Sequence, residues 1–314
     1  MTRAAKRPPE RISLGDVDLR LLRVFATIVR CNGFSAAQDS LGMSQATIST
    51  HMRHLEERLR VRLCERGRAG FFLTDEGRQV HAACQDLFGS IDRFRSAMGD
   101  MVGELSGQLS FGTVDAMVTN PALNLDRAIA AFRRLAPRVT LEFNVAAPQI
   151  LSQGLLSGAY QVVLMPAPER PVNMRAQALF PETQKLYCGR AHPLFDVPDA
   201  ALTPDLLARQ PFAGRTYMQR VPICGVDFDW QAATPHMEGT LILLLSGAFI
   251  GFLPEHYATA EVERGRLRAL APDRMAFEDL FQIVHARQSP SRAAQTFAQA
   301  IIDNCIVDQP ARPT

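Results

Sequence analysis

Gln45, Ser49 and Arg53 stand four residues apart, so on a helix they form one polar row. Amide, hydroxyl and guanidinium groups in such a row can meet base edges or phosphate oxygens of a DNA duplex; the plain alternative is a solvated helix face. Thr50 lies beside the row and Ser35 one element upstream, both open to the same contacts. Thr47, three residues after Ser44, suits a capping turn as well as a contact. Arg66 and Arg68 flank a glycine in Arg66-Gly67-Arg68-Ala69-Gly70, where they can reach phosphates and add salt-dependent affinity without sequence preference. Far downstream, Arg215 carries the planar fork that grips a carboxylate, with an ordinary surface ion pair as its equal alternative. Thr113, Asp115, Thr119, Ala147, Met165 and Thr216 fall in segments just beyond strand ends, where an open α/β domain places its crevice. Asp115 repels a simple anion, so it and Arg215 pull the expected ligand in opposite directions.

Enzyme chemistry finds no support in the sequence. It contains no G-x-S-x-G, no G-x-G-x-x-G opening a helix and no H-E-x-x-H. His51 and His54 are three apart, but their helix has no carboxylate or thiolate placed to complete a metal site. The six cysteines (Cys31, Cys64, Cys84, Cys188, Cys224 and Cys305) are scattered, which argues against a zinc knuckle and a disulfide scaffold. Cys188 and Cys224 invite a redox reading, yet the apolar company of Cys188 favours inert thiols.

The polar row needs a scaffold, and the apolar spacing supplies one. Leu19, Leu22, Phe25, Ala26 and Val29 predict a helix over 18–30, closed by Asn32-Gly33. Ser35 with Gln38 three residues on reads as a capping box for a short second helix ending near Leu41-Gly42. Ser44 caps a third, whose stripe Ile48, Met52, Leu55 and Leu59 leaves the polar row on the opposite face. Helix, short helix, turn and helix is the helix-turn-helix arrangement, and the Gly-rich run to Thr74 reads as a β-hairpin wing. Thr74 then caps a long helix carrying Val80, Cys84, Leu87, Ile91, Phe94, Met98, Met101 and Leu105. Its alternating steps of four and three average about 3.5, the repeat that keeps one seam against a partner helix. A dimerisation helix is expected, with a core helix of the same chain as the alternative.

Beyond Gly107 the pattern turns to α/β. Strands are expected at 109–114, 139–145, 160–165 and 280–285, and helices at 121–135, 150–158 and 291–305, in a mostly parallel sheet. The expected division is a tail (1–15), a winged helix-turn-helix (16–74), a linker helix (75–106) and an effector domain (107–305). That domain divides into lobe I (107–178 and 282–305) and lobe II (179–281).

The 314 residues suit a small domain and a larger one, and 47% hydrophobic with 21% charged residues is ordinary globular composition. Lys and Arg number 13 against 8 Asp and Glu over residues 1–75, and 21 against 24 over the rest. A basic front and a mildly acidic rear fit a nucleic-acid binder with a separate sensing module. Residues 1–11 lack the apolar core of a secretory signal, and the run Leu241–Leu245 is far short of a membrane span. A cytoplasmic protein with no membrane association is expected.

The sequence resembles the LysR-type transcriptional regulators over about 17–302. The resemblance is carried first by Leu22-x-x-Phe25, Gly33-Phe34-Ser35-x-Ala37, Leu41-x-Met43-Ser44-Gln45-x-x-Ile48-Ser49, Leu55-Glu56-x-x-Leu59 and Leu73-Thr74-x-x-Gly77. In the rear half it rests on Ala136-Pro137-x-Val139, Leu186-Tyr187-Cys188-Gly189-x-x-His192-Pro193-Leu194 and Ser246-Gly247-x-x-Ile250-Gly251-Phe252-Leu253-Pro254. It departs at Ala46-Thr47 and at Cys64, where phenylalanine is usual. The resemblance implies a winged helix-turn-helix, a linker helix pairing between subunits, and a two-lobed domain similar to periplasmic binding proteins. It further implies promoter DNA as partner, a dimer assembling to a tetramer, contact with RNA polymerase, and an unidentified small-molecule effector between the lobes, with no other cofactor.

Overall fold

A computed structural model describes residues 15–67, 70–101, 105–167, 174–286 and 290–306. Two compact units emerge, residues 1–91 and 92–314.

The first unit holds helices α1 (Asp16–Arg30), α2 (Ala37–Leu41) and α3 (Gln45–Leu59). Strands β1 (Cys64–Gly67) and β2 (Gly70–Leu73) form an antiparallel hairpin, and α4 (Asp75–Met101) follows it. Its core takes Leu22, Phe25, Ile48, Met52 and Leu55 from the expected stripes, but on α1 Leu21, Val24 and Ile28 are buried while the expected Leu19, Ala26 and Val29 are only half-buried. Ser44 caps α3, accepting the Thr47 amide at 3.2 Å. Ser35 does not cap α2, which begins after Ala36; instead Gln38 donates to the Ser35 hydroxyl at 3.4 Å. The Gln38 side-chain carbonyl accepts the Gln45 amide at 3.2 Å, so this glutamine ties α2 to the first turn of α3. Asp18, buried at the start of α1, accepts the Gly15 amide at 2.9 Å and is gripped by the Arg58 guanidinium of α3. The Arg58 hydrogen bond, with help from Gly15, holds its carboxyl below the usual aspartate range.

Gly77 lies where α4 crosses the turn before β1. A Cβ there would sit 1.9 Å from the Leu63 carbonyl oxygen, which is backbone and cannot step aside. Gly77→Ala should therefore destabilise the first unit by about 1–3 kcal/mol, as overpacking does. A calorimetric melt checks this, and an unchanged melting temperature would mean that α4 does not press on that carbonyl.

The seam read along α4 divides. Cys84 is buried in the chain's own helix-turn-helix core, with Val80 and Leu87 half-buried against it, so this stretch follows the core-helix alternative. Phe94 and Met98 remain exposed, at 65% and 40%. Ile91 is half-buried, and the side chain of Met101 lies outside the described residues.

The second unit contains β3 (Ser106–Thr113), α5 (Leu125–Leu135), β4 (Arg138–Val145), α6 (Pro148–Leu156), β5 (Val162–Pro166) and β6 (Met174–Gly189). It continues with α7 (Pro204–Ala208), β7 (Pro211–Arg215), β8 (Asp229–Thr234), α8 (Met237–Leu245), β9 (Ile250–Pro254), α9 (Glu255–Glu263), β10 (Leu267–Ala269), β11 (Ala276–Ala286) and α10 (Arg292–Asn304). Among the described residues nine strands form one sheet in the order β4-β3-β5-β11-β6-β9-β7-β8, with β10 beside β6. Pairing is parallel within each end (β3 with β4 and β5, β7 with β8 and β9). It is antiparallel through the middle, where β11 pairs with β5 and β6 and β6 with β9. The mostly parallel sheet expected from the sequence is thus a mixed one. The chain crosses from one end to the other on β6 and returns on β11, and a crossing and its return must run in opposite directions.

Each end has its own apolar core. One packs Phe111, Phe132, Val163, Ile283 and Phe297 around β3, β5, α5 and α10; the other packs Leu186, Phe212, Ile250 and Phe252 around β7 and β9. The result is two lobes hinged on two long strands. No described helix is long and apolar enough to cross a membrane.

Candidate functional site

On α3, burial of Ile48, Met52 and Leu55 turns Gln45, Thr50 and Arg53 outward, all exposed, with Ser49 half-buried among them. Thr50 Oγ1 bonds back to the Ala46 carbonyl at 3.0 Å and Arg53 lies 3.8 Å from Glu57, so neither is locked into the core. Thr47 is occupied locally: its hydroxyl meets Ser44 Oγ at 2.9 Å, which is its capping reading. Ser35 is exposed one helix away. Arg66 lies in β1 with its side chain outside the described residues, and Arg68 lies outside them altogether.

In the second unit a cavity of about 470 Å³ opens between the lobes, within the range of small-molecule sites. Pro148 and Pro166 line it from lobe I, Arg215 and Tyr217 from lobe II, and Phe277 and Asp279 from the crossing strand β11. Arg215 is 5% exposed, and its Nη2 donates to Gln184 Oε1 at 2.6 Å. Its Nη1 lies 3.9 Å from Asp279, beyond hydrogen-bond length, and its buried Nε has no acceptor among the described residues. A desolvated guanidinium with an unanswered donor at a cavity wall is poised to receive an acceptor.

Behind Arg215 runs a buried polar chain. Gln184 donates to Glu182 at 2.7 Å; Glu182 also accepts from Asn120 at 3.0 Å and meets His256 Nε2 at 2.8 Å. His256 Nδ1 in turn meets Thr119 Oγ1 at 2.8 Å. Glu182 and Asp279 are cross-strand partners on β6 and β11, so two carboxylates share one face of the hinge. Burial raises the Asp279 pKa, Arg215 partly offsets that, and Glu182 pushes it further up. Burial likewise raises Tyr217.

The other expected ligand contacts are distributed differently. Met165 is fully buried in the lobe I core, 3.9 Å from Ser152, and is corrected to a packing residue, because the β5 pleat turns it toward α6. Thr216 is exposed outside the lining, its amide bonded to the Thr234 carbonyl at 3.1 Å. Ala147 sits at the N-cap of α6 beside Pro148. Thr113 and Asp115 line a separate cavity of about 680 Å³ with Met117, Leu125, Phe143 and Val145. Asp115 also accepts the Met237 amide at 2.6 Å, so a lobe I carboxylate caps the positive end of α8 in lobe II. Gln149 adds a second bridge to the Tyr217 carbonyl at 3.3 Å. The sequence reading missed Glu182, Gln184, His256 and Asp279. Glu182-x-Gln184 inside an apolar strand was the available signal, since period-two spacing puts both on one face.

All six cysteines are free. Burial pushes Cys188 up to about 12 and Cys84 and Cys305 up to about 11. At pH 8 Cys188 is then thiolate in only about one molecule in ten thousand. Half-buried Cys31 should take up iodoacetamide first, with Cys64, Cys84 and Cys188 labelled only on denaturation. Peptide mapping by mass spectrometry checks the order; rapid native labelling of Cys188 would reopen its redox reading.

Comparison with known proteins identifies both parts. A family described as "Bacterial regulatory helix-turn-helix protein, lysR family" matches residues 19–78, and the "LysR substrate binding domain" matches 103–306. The transcriptional activator BauR of Pseudomonas aeruginosa is 36% identical over 95% of this chain and 99% of its own length. Among solved structures, CbnR in complex with its target DNA aligns with a TM-score of 0.59 at 17% identity, over 91% of this chain and 99% of that one. CrgA of Neisseria meningitidis aligns at 0.51 and 20% identity, over 90% and 97%.

Proposed function

Because the chain belongs to the LysR family of transcriptional regulators, we propose that α3 reads a promoter duplex through Gln45, Ser49 and Arg53 while an effector in the 470 Å³ cavity adjusts the grip. The protein is a DNA-binding transcriptional regulator with an effector-binding domain, and not an enzyme. The DNA-reading part rests on one observation: the face of α3 opposite its buried stripe is polar, exposed and at the start of the second helix of a helix-turn-helix. Thr50 flanks the contact row, exposed Ser35 adds a further DNA contact, and Arg66 and Arg68 supply sequence-independent affinity. Thr47 serves the cap.

Among the described side chains of the α4 seam, Phe94 and Met98 are exposed and would meet a second subunit, and Ile91 and Met101 extend that stretch. A dimer places two recognition helices on an interrupted palindrome; a dimer of dimers bends the DNA between two such sites, and the bound assembly contacts RNA polymerase. The proposed division keeps 16–74 for DNA, 75–106 for pairing and 107–305 for sensing. In the sensing domain the bonds between the two lobes (Asp115 to Met237, Gln149 to Tyr217) exchange as a ligand enters.

The test is binding of the purified protein to the DNA upstream of its own gene, titrated with salt against a scrambled fragment. Preference for the real fragment that persists at physiological salt supports the reading. Equal, weak binding to both that vanishes with salt overturns it for that operator.

A further inference from the structure

We propose that the effector is a small zwitterion, an amino acid whose carboxylate is held by Arg215 and whose ammonium is held by Asp279. This rests on the reading of the interlobe cavity as the effector site. Arg215 and Asp279 are the two charged side chains lining the cavity among the described residues. They face each other at 3.9 Å, near enough to interact and too far to hydrogen-bond, so neither satisfies the other. The buried Arg215 Nε has no acceptor among the described residues, so an acceptor brought to this guanidinium by a ligand would answer it. An anion alone is nevertheless a poor ligand. Arg215 already faces Asp279 and, through Gln184, is tied to Glu182, so a bare carboxylate would set a third negative charge around one guanidinium and His256. A cation alone would answer Asp279 and leave Nε empty. A neutral ligand with both charges completes both sites without changing the net charge of the pocket.

Two further observations agree. Asp279 is a carboxyl whose pKa is raised by burial and by Glu182 despite Arg215, which marks it as short of positive charge. Pro148, at the start of the nine-residue α6, lines the cavity, so the positive end of that helix adds to the pull on the carboxylate. Phe277 and Ile223 offer an apolar wall to the carbon skeleton between or beside the charged groups. Asp115, which pulled against Arg215 in the sequence, lies outside this lining and accepts the Met237 amide, although its charge still acts on Tyr217 of the cavity wall.

The experiment is calorimetric titration of the full-length protein with α-amino acids and a length series of unbranched amino acids. The carboxylic acid and the amine of each carbon skeleton serve as controls. Binding of at least one amino acid about tenfold or more tighter than its acid and its amine is expected, the scale of one charge-assisted hydrogen bond. Asp279→Asn should weaken that amino acid about ten- to a hundredfold and narrow its advantage over the acid. Arg215→Lys should weaken both, and thermal melts establish that each variant is folded. Ala167→Trp, in the cavity lining, takes up cavity volume while keeping both charged residues and should abolish binding. If acid and amino acid bind equally and both are lost in Ala167→Trp, the cavity is the effector site and the zwitterion is wrong. If amino-acid binding survives both Ala167→Trp and Asp279→Asn, the cavity reading itself fails. Binding by no amino acid at millimolar concentration overturns the proposal.

Discussion

Gln45, Ser49 and Arg53, replaced together by alanine, should reduce binding at the operator to the level of random DNA, a fall of about a thousandfold or more in a dimer. A well-placed side chain is worth about 1–3 kcal/mol of base discrimination, and two-fold symmetry counts each substitution twice. The fold should survive. Gln45 and Arg53 are exposed and Ser49 half-buried, while the helix is held from its other face by Ile48, Met52 and Leu55, so the melting temperature should move little. Fluorescence anisotropy on specific and scrambled duplexes, with a melt as control, reads both effects. Retained discrimination by a folded triple variant would place sequence reading elsewhere, in the hairpin or in DNA shape. Most of the salt dependence should persist, because the hairpin arginines assigned to phosphate are untouched.

Phe94→Glu combined with Met98→Glu should split the protein into monomers and carry DNA affinity down with it. Burying an aromatic or a methionine side chain contributes about 1.5–3 kcal/mol, and across a two-fold axis each is lost twice and replaced by facing negative charges. Dimer dissociation is then expected to rise by at least about a thousandfold, visible by sedimentation velocity at micromolar protein. The pair is chosen by exposure: at 65% and 40% these two side chains are available to a partner, whereas Leu87 packs against its own chain's core and its replacement would mix unfolding with dissociation. A dimer that persists in the folded double variant would move the interface off α4.

The helix-turn-helix was legible because its determinants are local. Ser44 caps the three residues that follow it, Ile48, Met52 and Leu55 recur at the helical period, and a row opposite a buried stripe is exposed by construction. Where a polar side chain reaches beyond its neighbours the spacing says less: Gln38 bonds back to Ser35, as a capping box suggests, but Ser35 caps nothing and the same glutamine also binds α2 to α3. The α4 repeat gave a seam but not its owner. A period of about 3.5 says that one face is covered, and whether the cover is a second subunit or the same chain depends on where the helix passes the core, which here gives Cys84 to the chain itself.

The sequence by itself determined the two-part plan and the polar row on α3, because periodicity and caps are properties of contiguous residues; for Arg215 it left a carboxylate clamp and an ordinary ion pair equal. Tertiary structure alone decided what surrounds Arg215. Glu182 and Gln184 on β6, Asp279 on β11 and His256 on α9 meet through an antiparallel crossing whose partners are about a hundred residues apart, and no local spacing encodes that register. The same crossing removed Met165 from the site, since a strand's pleat sends alternate side chains to opposite faces and only the packed neighbours decide which face is core.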